Sequence, residues 1–80
     1  MRQHKQSKTE QLGARVRSTF RARWFGVVVE NGLPDGDRMV VVQLTHDRNG
    51  RAICKPGAAH NLHTISAGWL VLENPPGFVE

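Results

Sequence analysis

The stretch GARVRSTFRARWFGVVVE, residues 13–30, decides the predicted fold. Small or apolar residues alternate with arginines over Ala14–Ser18, which is the pattern of a half-buried β-strand. A polar loop follows at 19–23. Trp24–Glu30 then begins with two aromatic residues and continues as a β-branched run, which is typical of a buried strand. We therefore expect two strands joined by an arginine-bearing loop.

Three more strands are expected, because turn-forming residues separate the remaining apolar runs. The segment NGLPDGD at 31–37 predicts a turn, and the Asn49-Gly50 pair suits a type I′ hairpin turn. Near Thr64–Ala67 we expect a single helical turn. The three further strands are predicted over Arg38–His46, Arg51–Lys55 and Trp69–Glu73.

Five short strands in a chain of 80 residues predict an all-β fold. An open sheet would leave free edges and an uncovered apolar face, so we expect a closed or nearly closed five-stranded small barrel. The barrel is placed at 13–74, between a disordered basic tail at 1–12 and a C-terminal tail at 75–80. The expected core is Val16, Phe25, Val27, Val29, Val40, Val42, Leu44, Ile53, Leu62, Ile65, Leu70 and Leu72.

Charge and composition narrow the setting in which the chain works. The formal net charge is +4, and a basic domain of this size is compatible with nucleic-acid binding. The lone Cys54 cannot form an internal disulfide, and no apolar run approaches the roughly 18 residues of a membrane span. The N-terminus lacks the apolar run of a secretory signal. We expect a soluble protein of the cytoplasm or of a viral particle.

The order of these features resembles an SH3-like small barrel. Gly13, Val16, Gly26 and Val28 match the Gly-x-x-Val strand and Gly-x-Val strand of the KOW-type module of ribosomal and transcription proteins. In that module the two strands and the basic loop between them form the nucleic-acid-binding end. The resemblance implies an SH3-like barrel and a nucleic-acid partner, and it covers residues 13–73 as a pattern.

A second resemblance is to the plasmid-encoded type II dihydrofolate reductase, a barrel of similar length. It rests on Gly13-x-Arg15-Val16-Arg17 and on Trp24-x-Gly26-x-Val28-Val29. That family contacts substrate through a Val-Gln-Ile-Tyr segment. The nearest stretch here is His63-Thr64-Ile65-Ser66, and the chain has no tyrosine. Reductase activity is therefore the third interpretation, and we expect a protein that is not an enzyme.

The leading interpretation is a non-enzymatic module that binds RNA or DNA through an arginine-rich strand and loop face. Guanidinium groups would contact phosphates, and an aromatic ring would stack on a base. The alternative for the same residues is an ordinary solvated strand face, with Trp24 sealing the end of the barrel. The expected nucleic-acid-binding residues are Arg15, Arg17, Phe20, Arg21, Arg23, Trp24, Arg48, Arg51 and Lys55.

The runner-up interpretation is a structural or protein-interaction module, for example a phage virion or assembly component. The composition resembles that of small bacteriophage accessory proteins. Leu33, Trp69 and the proline-rich segment after residue 74 are candidate contacts with another protein or a second copy of the chain.

We expect no catalytic residue, no bound metal and no cofactor. A zinc site would have to draw on Cys54 and the histidines, but the chain lacks a Cys-x-x-Cys pair. Cys54 in a strand more often packs as a small apolar residue. The Asp35-Gly36-Asp37 and Asp47-Arg48-Asn49-Gly50 segments lack the regular oxygen ligands of a calcium loop, so both are interpreted as turns.

Overall fold

The computed structural model describes residues 7–34, 38–53 and 61–77. All regular structure longer than a single turn in these residues is β-strand, so the all-β prediction is confirmed. The described residues also include the 3-10 turns Lys8–Glu10 and Ala67–Trp69. The strands are β1 Arg15–Ser18, β2 Phe25–Glu30, β3 Met39–His46, β4 Leu62–Ser66 and β5 Leu70–Leu72.

The five strands form one antiparallel sheet in the order β4-β3-β2-β1-β5. The sheet is not closed, so the predicted barrel is not confirmed. The edge strands β4 and β5 are joined by the Ala67–Trp69 turn instead of by a hydrogen-bond ladder. Ala67 N–H donates to the carbonyl of Arg38, and the carbonyl of Trp69 accepts from Thr19 N–H, both at 2.8 Å. The turn therefore bridges the start of β3 and the end of β1.

Buried and half-buried residues alternate along β3, and its buried residues form the centre of the core. Val40, Val42 and Leu44 are buried, and the residues between them are half-buried. Burial of each such side chain contributes about 1.5–3 kcal/mol to the stability of the folded state. The buried cluster consists of Val16, Trp24, Val28, Val40, Val42, Leu44 and Leu70.

Strand β2 presents the opposite set of valines from the predicted one. Val27 and Val29 are predicted core residues, but Val27 is half-buried and Val29 is exposed, whereas Val28, opposite Val42, is buried. The register shifts between Val28 and Glu30 and again at the start of the strand. Such β-bulges interrupt the two-residue alternation of a strand, so successive odd-numbered residues of β2 do not all face the core.

Two other predicted core residues, Leu62 and Leu72, are exposed. Both lie in edge strands, which have a strand neighbour on one side only in the described residues. On β4 the inward positions, opposite buried valines of β3, belong to His63 and Ile65. The prediction failed here because burial at an edge depends on strand pairing and not only on side-chain type.

The β3 hairpin also differs in detail. Of the Asn49-Gly50 pair, only Gly50 has a positive φ, at +85°, so the turn is not type I′. The short strand predicted over Arg51–Lys55 is reduced to one bridge, between His46 and Ala52, and its last two residues lie outside the described part of the chain.

The helical turn predicted at Thr64–Ala67 begins later, because β4 continues to Ser66. The Ser66 hydroxyl accepts a hydrogen bond from Gly68 N–H at 3.2 Å and so caps the Ala67–Trp69 turn. Strand β5 then starts at Leu70, one residue after the predicted start.

A buried carboxylate fixes the N-terminal 3-10 turn, which falls in the segment expected to be a flexible tail. Glu10 is only 5% exposed. Its Oε2 accepts from Ser7 N–H at 2.9 Å, from the Ser7 hydroxyl at 2.7 Å and from Arg38 Nε at 3.4 Å. We call these three residues the Glu10 clasp. Residues 1–6 of the expected tail lie outside the described residues.

The clasp predicts a pH-dependent contribution to stability. Burial raises the pKa of Glu10, but the Ser7 hydrogen bonds and the Arg38 charge outweigh it and leave the pKa below its ordinary value. The stabilisation is thus full above the unfolded-state pKa and disappears as the pH falls through the lower folded-state pKa. Glu10→Gln should lower the free energy of unfolding at pH 7 by about 1–2 kcal/mol.

Urea denaturation of the wild type and Glu10→Gln across a pH series measures this difference. It should shrink towards zero on the acidic side, where the wild-type carboxylate is also neutral. A difference that stays constant with pH would show that the clasp does not depend on the charge.

Gly26 is required by the close approach of β2 and β3. A Cβ at this position would lie 2.5 Å from Cγ1 of Val42 and 2.6 Å from the carbonyl oxygen of Gln43. We therefore expect Gly26→Ala to destabilise the fold by about 1–3 kcal/mol, the usual range for overpacking. Gly68→Ala is the control, because its Cβ would meet only Ser66 Oγ, at 3.5 Å. Equal chemical-denaturation midpoints for the two variants would contradict the expectation.

Candidate nucleic-acid interface

The loop between β1 and β2 is anchored at both ends by hydrogen bonds. At its start, the Ser18 hydroxyl accepts from Phe20 N–H at 3.0 Å and donates to the Phe20 carbonyl at 2.9 Å. The Thr19 hydroxyl donates to the Trp69 carbonyl at 2.9 Å, beside the backbone bond described above. At its end, the Trp24 carbonyl accepts from Ser18 N–H at 2.9 Å. The loop is thereby held against the Ala67–Trp69 turn.

Two arginines of this loop adopt left-handed backbone conformations. Arg21 has a φ of 55° and Arg23 a φ of 56°. A residue with a Cβ is disfavoured there by about 1–2 kcal/mol, and glycine or asparagine is the usual occupant. Both side chains are exposed. Within the described residues, neither guanidinium lies within ion-pair distance of a carboxylate.

Beside these arginines lies a solvent-facing aromatic pair. The ring centroids of Phe20 and Trp69 are 4.8 Å apart, with the planes tilted by 44°. The guanidinium carbon of Arg21 lies 5.0 Å from the Phe20 ring centroid, a cation–π distance. Phe20 is 41% exposed and Trp69 48% exposed. Two aromatic rings and a guanidinium therefore form one continuous surface in water.

A cavity of about 350 Å³ opens between this loop and β4. Trp24, only 8% exposed, belongs to the core cluster and also lines the cavity. Its ring centroid lies 5.6 Å from that of His63, at an angle of 54°. The described residues of the lining include an arginine and no carboxylate, so they favour anionic or neutral ligands. The lining residues are Ser18, Phe20, Arg21, Ala22, Trp24, His63, Thr64 and Ile65.

The arginines of β1 lie away from this cavity. Val16 and Ser18 point inward, so Arg15 and Arg17 lie on the outer face of the strand. Arg17 Nε is 3.0 Å from Oε1 of Glu73, in an exposed ion pair of the kind that contributes about 1 kcal/mol or less. The predicted basic face is therefore divided between the outside of β1 and the rim of the cavity.

The hairpin turn after β3 carries two further predicted residues, Arg48 and Arg51, both exposed. They do not line the cavity. The Asp47 carboxylate organises this turn: backbone N–H groups of Arg51 and Asn49 donate to its Oδ1 at 3.0 and 2.9 Å. These bonds outweigh burial and hold the pKa of Asp47 below its ordinary value. Lys55, the last predicted residue, lies outside the described residues.

Several residues of the cavity and its rim are not among the predicted binding residues, and three of them, Trp69, His63 and Thr64, present side chains to the proposed site. The sequence suggests a protein contact for Trp69 and a possible metal ligand for His63, and it places Thr64 only in the stretch nearest the reductase family's substrate-contacting segment. The Ser66-Ala67-Gly68 sequence is a signal for the turn before Trp69, because serine and glycine favour turns. Nothing local links it to Phe20, which is far away in the chain.

The described residues contain no group of three or more His, Cys, Asp or Glu side chains arranged to hold a metal ion. Cys54 and His60 lie outside them. No helix in the described part of the chain has the length and apolar character that crossing a membrane requires. Comparisons with protein-family models, with curated proteins and with solved structures gave no match for this chain. The chemistry of the site therefore follows from its geometry alone.

The aromatic pair can be checked by fluorescence. Phe20→Ala should increase iodide quenching of tryptophan emission, because Trp69, the more exposed of the two tryptophans, loses the ring that packs on it. Leu12→Ala, which removes an exposed apolar side chain elsewhere, is the control. Unchanged quenching in Phe20→Ala would show that the two rings do not pack together in solution.

Proposed function

We propose that the protein binds nucleic acid through the β1–β2 loop and the Ala67–Trp69 turn. The observation that carries the proposal is the exposed Phe20–Trp69 pair with Arg21 over the Phe20 ring. We call Phe20, Arg21, Arg23 and Trp69 the loop surface. Aromatic faces that stack on bases, next to cations that contact phosphates, are the combination that nucleic-acid-binding grooves use.

Two kinds of partner fit a basic surface, a nucleic acid and an acidic protein, and base stacking distinguishes them better than charge does. Both partners would be attracted by a chain of net charge +4. Only a nucleic acid supplies planar rings and phosphates at a regular spacing, which matches rings and guanidinium groups that lie side by side. The left-handed conformations of Arg21 and Arg23 also support the proposal, because unfavourable backbone geometry is concentrated at functional sites.

We also propose that the sheet bends towards an SH3-like small barrel. The two edge strands are consecutive in the chain, and only three residues separate them. An edge-to-edge link of this length supports a strongly bent sheet that approaches the small-barrel form. In that arrangement the loop surface lies at the junction between the two edges.

Removing the two loop charges tests the proposal. Arg21→Ala/Arg23→Ala should weaken binding of a fluorescently labelled oligonucleotide about tenfold or more, because phosphate contacts are lost at each position. The matched control is Arg48→Ala/Arg51→Ala, which removes the same charge from the hairpin turn, away from the cavity. We expect the control to lose less affinity.

Fluorescence anisotropy at about 50 and 200 mM salt gives both affinity and salt dependence. The wild type should bind more tightly at the lower salt, and the loop variant should show a shallower dependence. Absence of binding to RNA and DNA at low salt would eliminate the proposed function. Equal losses in the two double variants would assign the binding to overall charge and not to the loop surface.

A second candidate function is protein interaction through the edges of the sheet. Leu62 on β4 and Leu72 on β5 are exposed on strands that have one neighbour each in the described residues. An open edge with apolar side chains can pair with a strand of another chain. Light scattering distinguishes the two functions: a concentration-dependent assembly without nucleic-acid affinity would favour protein interaction.

A further inference from the structure

We infer that the cavity beside the loop surface receives a single unpaired base, so that the protein selects single-stranded nucleic acid over duplex. This inference rests on the proposed function and adds the form of nucleic acid that is bound. The cavity volume of about 350 Å³ is at the lower end of the roughly 300–1,000 Å³ range for ligand pockets. It therefore suits one ring system better than an extended ligand.

The lining has the chemistry of a base-binding site. A planar ring entering the cavity meets the aromatic groups of Phe20, Trp24 and His63. Trp24 is held by the core and Phe20 by its contact with Trp69, so two of these rings are fixed before the ligand arrives. Fixed aromatic groups lose little conformational freedom on binding, which favours affinity.

The cavity also offers polar groups for the edge of a base. The Ser18 hydroxyl is already engaged with the Phe20 backbone, so it is not available. His63 and Thr64 are exposed, and in the described residues neither side chain makes a hydrogen bond. An imidazole and a hydroxyl each donate and accept, and they can therefore serve bases of different type.

A nucleic-acid strand accounts for the two arginines of the loop better than a free nucleotide does. Arg21 lines the cavity, next to the site of the base, whereas Arg23 is exposed in the same loop and does not line it. Arg23 is thus available to a flanking phosphate, which only a strand provides. In a duplex the base would first have to leave its stack, at a cost of a few kcal/mol, so paired DNA or RNA is disfavoured.

The test compares three ligands of equal length with the full chain by fluorescence anisotropy: a single-stranded oligonucleotide, its duplex, and a strand of abasic sites that keeps the phosphates. Wild-type protein should bind the single strand about fivefold or more tightly than either of the others. Excess free mononucleotide should compete poorly, because it lacks the flanking phosphates.

His63→Ala should narrow the difference in affinity between the single strand and the abasic strand and leave duplex binding unchanged. His46→Ala is the matched control, since His46 lies on β3 and does not line the cavity. Equal binding of all three ligands by the wild type would overturn this inference and leave the proposed function standing. Binding of none of them would overturn the proposed function itself.

Competition by mononucleotide as strong as that by the strand would also overturn the inference, because the cavity would then be a nucleotide site. The ligand comparison needs no variant, so it stays decisive if His63→Ala does not fold. Circular dichroism of each variant identifies that case.

Discussion

The three-residue turn between β4 and β5 is the constraint on which the rest of the structure depends. Its first residue is hydrogen-bonded to Arg38, before β3, and its last to Thr19, after β1, so it sets the distance between the two edges of the sheet. That distance brings β4 towards the β1–β2 loop and makes the cavity. The same turn carries Trp69 to Phe20. Fold and candidate site therefore share one structural cause.

Sequence patterns predicted the elements well where burial is decided by alternation alone. Strand β3 is the clearest case, because Val40, Val42 and Leu44 all face the core as expected. In β2 the buried valine is not one of the two predicted, because the bulges and the close approach at Gly26 are consequences of strand pairing. The open sheet could not be predicted either, because closure depends on which edges meet.

The candidate site was predictable in composition and not in arrangement. The arginines and aromatic residues of the loop were recognisable from their clustering, but Arg17 is paired with Glu73, fifty-six residues away. Trp69 approaches the loop across a separation of similar size, which no local pattern encodes. Residues close in the chain were expected to share a face, yet the end of β1 separates the outward-facing arginines from those of the loop.

The backbone conformation of Arg21 and Arg23 has a consequence for engineering this protein. Glycine or asparagine would fit both positions with less strain. If variants at these positions are selected only for a higher melting temperature, we expect those residues to replace the arginines. The variants selected in this way would be more thermostable but would lack the two loop arginines. Thermal stability and the proposed ligand recognition thus make opposite demands on positions 21 and 23, and improving one without the other requires changes elsewhere in the chain.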